Sequence, residues 1–120
     1  AGNILSMAVP HLLLGRKGER AAVRYLLRQG FDILARRYQG RSGELDVIAF
    51  DKDELVFVEV KTRGTGAFGE PWEFVDWRKQ QILRRTAEEF IADHDLGRYA
   101  YRFDIVSVVG DKVELLRNAF

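Results

Sequence analysis

The sequence predicts an α/β sandwich with a mixed sheet and the element order α-β-β-β-α-β-β. Three observations carry that expectation. Apolar residues recur at helical spacing after residue 16 and again after residue 75. Between them lie two runs rich in Val, Ile, Leu and Phe, joined by four polar residues as in an antiparallel hairpin. Another strand-like run follows the second helix, so the chain crosses over the sheet and returns parallel to the strand before that helix.

Taken in order, Arg16 to Gln29 reads as the first helix, with Ala22, Val23, Leu26 and Leu27 at helical spacing and Gly30 as its stop. Phe31 to Gln39 reads as a strand and Gly40 to Gly43 as a turn. Glu44 to Phe50 and Leu55 to Thr62 form the hairpin about Asp51-Lys52-Asp53-Glu54. Val75 to Ile91 is the second helix, its apolar face formed by Val75, Ile82, Leu83, Ala87, Phe90 and Ile91. Tyr101 to Val109 and Lys112 to Leu116 are the last two strands, with Gly110-Asp111 as their turn.

The 120 residues suffice for one domain, placed at 15–120, after an N-terminal segment, 1–14, that has no formal charge. Met7 is the only methionine and the expected native start, so residues 1–6 are set aside. A 47% hydrophobic content with 12% aromatics belongs to a folded chain. The lack of cysteine excludes a disulfide framework and a thiolate metal site, and it fits the cytoplasm. The N-terminal stretch is too short in apolar residues for a membrane span and lacks the pattern of a signal peptide.

Net charge is +1, but its distribution is uneven. Residues 16–41 hold eight basic side chains against Glu19 and Asp32, for +6, which leaves −5 over residues 42–120. A basic first third suits a polyanion-facing surface; a solvated arginine-rich helix is the plain alternative.

The hairpin brings carboxylates together. If it turns symmetrically about Lys52 and Asp53, Asp46 falls opposite Glu59 and Glu44 opposite Lys61, with paired Cβ atoms roughly 4.5–5.5 Å apart. Two such carboxylates on strands this apolar repel each other and lose hydration. A hard divalent cation such as Mg²⁺ would relieve both costs. Lys-Asp is not a favoured two-residue loop, so a bulge that slips the register is the risk. Glu59 and Lys61 need no such assumption: two apart in one strand, they share a face. An ion pair on an exposed sheet face is the competing reading, but the strand is apolar on both faces until these charges appear.

Two helical residues break their own pattern. Glu19 shares a stripe with Ala22, Val23 and Leu26, where a carboxylate needs a partner or a metal, unless it sits in the first turn and answers the helix dipole. Lys79 lies on the apolar stripe of the second helix, free to snorkel to water or to lean toward the carboxylates or a phosphate. His11 and His94 have no partner in sequence. No nucleophile-elbow serine or Walker-type loop is present.

The array Gly43-Glu44-Leu45-Asp46, followed after twelve residues by Glu59-Val60-Lys61, resembles the PD-(D/E)XK nuclease superfamily. More closely, the chain is similar to the YraN-like family of bacterial proteins, relatives of archaeal Holliday-junction resolvases. The matching segments are Gly15-Arg16-Lys17-Gly18-Glu19 with Ala22 and Leu26, Gly43 to Ile48, Phe57 to Arg63, and Phe68-Gly69 with Lys79 beyond. Leu45 stands where the superfamily's eponymous proline would be. The resemblance implies a restriction-endonuclease-like fold. It also implies that Asp46 and Glu59 bind Mg²⁺ (or Mn²⁺), that Lys61 orients or activates the attacking water, and that Glu19 completes the acidic cluster.

The expected activity is therefore metal-dependent endonucleolytic hydrolysis of DNA, with branched or structured DNA among the candidate substrates. Arg16, Lys17, Arg20, Arg41, Arg63 and Lys79 are the candidate nucleic-acid contacts. The glycine-bearing loop from Arg63 to Pro71 would order on nucleic acid, with Phe68 or Trp72 either stacking on an unpaired base or packing under the loop. The competing classes are a non-catalytic nucleic-acid-binding module of the same fold and a protein-interaction adaptor. A homodimer is compatible with the sequence but not indicated by it.

Overall fold

The computed structural model describes residues 14–63 and 75–120, with side chains from residue 18 onward. The observed elements are α1 (Leu14–Arg28), β1 (Asp32–Gln39), β2 (Glu44–Asp51), β3 (Glu54–Arg63), α2 (Trp77–Asp93), β4 (Tyr101–Val109) and β5 (Lys112–Leu116). The strands form one sheet in the order β1-β2-β3-β4-β5, antiparallel except for the parallel pair β3/β4 that the α2 crossover creates. This is the expected mixed-sheet sandwich, and it is compatible with a restriction-endonuclease-like fold. No described helix is long and apolar enough to cross a membrane.

The helices cover opposite faces of the sheet. Ala22, Val23 and Leu26 of α1 pack on Val47, Val56, Val58 and Val106. Leu83, Ala87 and Phe90 of α2 pack on Ile48, Phe57, Phe103 and Ile105. Burial on both faces explains why β3 reads as a continuous apolar run and not as an alternation. Alternation is still present within it: Phe57 enters the core beneath α2, while Val56 and Val58 enter the core beneath α1.

Local signals set the ends of the elements. Gly30, at φ 93°, closes α1, with Gly30 N–H donating to Leu27 O and Phe31 N–H to Leu26 O. The start of α2 lies two residues later than expected. Asp76 is its N-cap, its carboxylate accepting from Lys79 N–H at 2.9 Å, while Val75 is buried just ahead of the cap. The β2/β3 register is the expected one, Val47 opposite Val58 through Asp51 opposite Glu54. No bulge intervenes; Lys52 takes up the turn with a left-handed φ of 59°.

Two expectations are corrected. Glu19 is not in the first turn of its helix, because α1 begins at Leu14, and the dipole does not account for it. Glu44 is not paired with Lys61: the β2/β3 ladder ends at Val47/Val58, and Glu44 instead pairs with Gln39 of β1. The loop carrying Phe68 and Trp72, and the N-terminal segment through Leu13, lie outside the described residues.

Candidate active site

The site begins where β2 and β3 part. One rung past the end of their ladder, the Asp46 carboxylate accepts a hydrogen bond from Val60 N–H at 2.8 Å. A side chain thus takes over from the neighbouring strand as acceptor, and the sheet opens into a fork with a carboxylate at its crotch. On the other side of β2 the β1/β2 ladder runs from Arg36/Val47 to Tyr38/Leu45 and omits the rung between, Arg37 and Asp46. Arg37 has φ 52°, a left-handed conformation that typically costs a non-glycine residue about 1–3 kcal/mol. The break also reverses the strand's facing: Val47 enters the core beneath α1, while Leu45, two residues away, enters the core beneath α2.

Beside the fork is a cleft of about 320 Å³ lined by Glu19, Arg37, Asp46, Val60, Lys61 and Thr62. Glu19 reaches it because α1 lies close on the end of β3; a Cβ at Gly18 would collide with the Thr62 hydroxyl. Glu19 is 5% exposed and lies 3.6 Å from Arg36 and 3.4 Å from Arg37. Glu59, 6% exposed, lies 3.1 Å from Lys79 Nζ and 3.9 Å from Lys61 Nζ.

Among the described residues no cation pairs directly with Asp46, although the Lys79 ammonium acts on it from farther away. Burial, and next the nearby Glu59 carboxylate, push its carboxyl from 3.8 to about 8, against the pull of the Val60 hydrogen bond. The nearby Glu59 carboxylate thus favours the protonated form of Asp46. Burial works against the Lys79 charge, but its ion pair with Glu59, with Asp46 and Glu44 behind, raises the ammonium above the ordinary lysine value.

The structure therefore brings Glu19, Asp46, Glu59, Lys61 and Lys79 together from four elements. Arg41 stands apart: it is held at the C-terminal end of α2 by Asp93, 3.5 Å away, on the order of 20 Å along the helix from Lys79. Arg20 is exposed on α1, and Arg63 ends β3 one residue past Thr62. Arg16 and Lys17 lie in the first turn of α1, and their side chains are outside the described residues. Arg36 and Arg37 are the residues that sequence reasoning missed. In a regular strand they would face opposite ways, and nothing local announced the left-handed turn that brings both to Glu19.

Among the described residues, no three His, Cys, Asp or Glu side chains form a ready-made metal cage. The donors nevertheless fit Mg²⁺, which typically takes one or two carboxylates and keeps several waters. Asp46 and Glu59 supply hard oxygens whose repulsion helps raise the Asp46 carboxyl, and the adjoining cleft has room for solvent and a ligand.

The model of the family described as "Uncharacterised protein family UPF0102" matches residues 18–108, a span that contains Glu19, Arg36, Arg37, Asp46, Glu59, Lys61 and Lys79. The chain belongs to the UPF0102 family. This is the YraN-like family that its motifs resemble. A UPF0102 protein of Caldicellulosiruptor bescii is 42% identical over 114 residues, covering 89% of this chain and 96% of its own length. Another, from Desulfosudis oleivorans, is 44% identical over 108 residues and 88% of each chain. One from Alkaliphilus metalliredigens is 40% identical over 110 residues, covering 89% and 96%. Alignments that span nearly the whole of each relative make the entire UPF0102 domain, and not the fork alone, the unit held in common.

Proposed function

We propose that this UPF0102 chain is a metal-dependent phosphodiesterase: an endonuclease acting on DNA, with branched or structured DNA as its candidate substrates. The observation that carries the reading is the fork itself. A buried carboxyl held by Val60 N–H where the strands part, the neighbouring Glu59 carboxylate, a lysine two residues along the same strand, and an open cleft beside them suit phosphodiester hydrolysis.

Asp46 and Glu59 would hold Mg²⁺ or Mn²⁺, with Glu19 facing the same cleft. The ion would supply Lewis-acid polarisation of a phosphoryl oxygen and acidify water. Lys61 is placed to orient the attacking water and to offset charge that develops on the phosphoryl oxygens in the transition state. Lys79 pairs with Glu59 and would hold its carboxylate in position. Val60 N–H would hold one Asp46 oxygen in place, so that the other could serve the ion.

One observation favours a second reading, a nucleic-acid-binding module without catalysis. Glu19 and Glu59 each have two cationic partners, so most of the acidic charge is already balanced by the protein. A single experiment separates the two. The chain is incubated with linear, nicked, flapped and four-way-junction DNA, with Mg²⁺, Mn²⁺ or EDTA, alongside Asp46→Asn and Lys61→Ala. The nuclease reading expects metal-dependent cleavage that both variants lose. Binding without cleavage on every substrate would establish the module, and cleavage that survives Asp46→Asn would refute the assignment.

A further inference from the structure

We propose that Arg37 is a phosphate-binding residue of the cleft, parked on Glu19 in the free protein and passed to a backbone phosphate when a polynucleotide enters. The inference rests on reading the cleft as a polynucleotide site.

Three features of the structure carry it. Arg36 and Arg37 are consecutive residues of β1, and regular alternation would send their side chains to opposite faces. Both nevertheless reach Glu19, because Arg37 has a left-handed φ of 52° and the ladder skips its rung. Arg36 already supplies the counter-charge that buried Glu19 needs. A strained backbone that delivers a second guanidinium is superfluous for stability but useful for a ligand.

The second feature is where that guanidinium lies. Arg37 lines the same cleft as Asp46 and Lys61, whereas Arg36 does not. The third is how loosely it is held. Its contacts to Glu19 and Glu44 are 3.4 and 3.8 Å, too long for good hydrogen bonds, and Arg37 Nε is buried without a hydrogen-bond partner among the described residues. A planar fork of donors in that state surrenders little on leaving Glu19 and can bind a phosphate through two parallel hydrogen bonds.

The test is binding without cleavage. Fluorescence anisotropy measures the affinity of a labelled four-way junction and a labelled duplex in EDTA and in Ca²⁺, for wild type, Arg37→Gly, Arg37→Asn and Arg37→Lys. Arg98→Gly serves as a charge-matched control; that side chain packs on Tyr99, just before β4, at the other end of the parallel strand pair from Lys61. Glycine and asparagine both accept a left-handed φ, so they remove the guanidinium without new backbone strain.

The expected result is an affinity loss of about tenfold or more in both uncharged variants, with the slope of log affinity against log salt reduced by about one. Arg37→Lys recovers part of the affinity, Arg98→Gly changes it less than about twofold, and the melting temperatures of the uncharged variants stay near wild type. Affinity within about twofold of wild type in Arg37→Gly overturns the inference alone. So does a large fall in melting temperature shared by the glycine and asparagine variants, which would make the arginine structural. Failure of the wild type to bind any polynucleotide refutes this inference together with the function it rests on.

Discussion

Replacing Asp46 with asparagine should stabilise the metal-free protein at alkaline pH while destroying its capacity for metal. The folded-state pKa, about 8, lies above the ordinary 3.8, so the native state holds this proton more tightly than the unfolded chain. The Asp46 contribution is fully favourable below about pH 4 and is lost as pH rises toward 8, because there the unfolded chain ionises freely and the native state does not. At about 1.4 kcal/mol per pH unit, the gap from 3.8 to about 8 sets a ceiling near 6 kcal/mol. Electrostatic coupling to the neighbouring Glu59 charge and partial exposure of the residue bring the working figure to about 2 kcal/mol.

Asparagine copies the protonated form. Its Oδ1 can still accept from Val60 N–H, and its neutral amide carries no charge to repel Glu59. Asp46→Asn should therefore match wild type near pH 4 and melt about 6–10 °C higher at pH 8 in EDTA. Thermal melts of both proteins at half-unit pH steps check this. Adding Mg²⁺ at pH 8 should raise the wild-type midpoint and leave the variant unmoved. A difference between the two that does not grow from pH 4 to pH 8 would refute the assignment of a strained carboxyl pair at the fork.

Other outcomes follow from contacts away from the fork. Arg102 lies against Asp51, Glu54 and the fully buried Asp104 at 2.8–2.9 Å, so Arg102→Met should cost about 3–5 kcal/mol, read as a lower urea midpoint that Arg102→Lys does not restore. In the same cluster, burial acts to raise the Asp51 carboxyl, but hydrogen bonds from Arg102 and Arg117 hold it below 3.8. That stability is present above pH 4 and lost on acidification, the opposite sign to Asp46, and Asp51→Asn should flatten the acid limb of a pH–stability curve. Gly43→Ala would set a Cβ 2.7 Å from Ile82 Cγ2 and lift α2 from the β1–β2 turn, costing about 1–3 kcal/mol by chemical denaturation. Lys79→Met should weaken Mg²⁺-dependent thermal stabilisation less than Asp46→Asn does, because Lys79 positions Glu59 and donates no oxygen; equal loss in both variants would contradict that role.

What could be read along the chain was whatever short-range geometry decides. Apolar spacing fixes the helices, Gly30 closes the first, and the polar joint at Asp51–Glu54 pairs Val47 with Val58 in the register that symmetry requires. The same local rule places Glu59 and Lys61 on one face, because alternation is a property of each strand by itself. Where that rule breaks, the sequence is silent. The left-handed Arg37 and the reversed facing of Leu45 against Val47 arise because two different cores, one under each helix, compete for the residues flanking Asp46. The partners of Glu19 and Glu59 were likewise undetermined: a helical stripe says which residues face the sheet but not which rung they meet. Only the packing of α1 and α2 on opposite faces brings Glu19 to Arg36 and Arg37 and Lys79 to Glu59, leaving Asp46, among the described residues, with no directly paired cation and a raised carboxyl pKa.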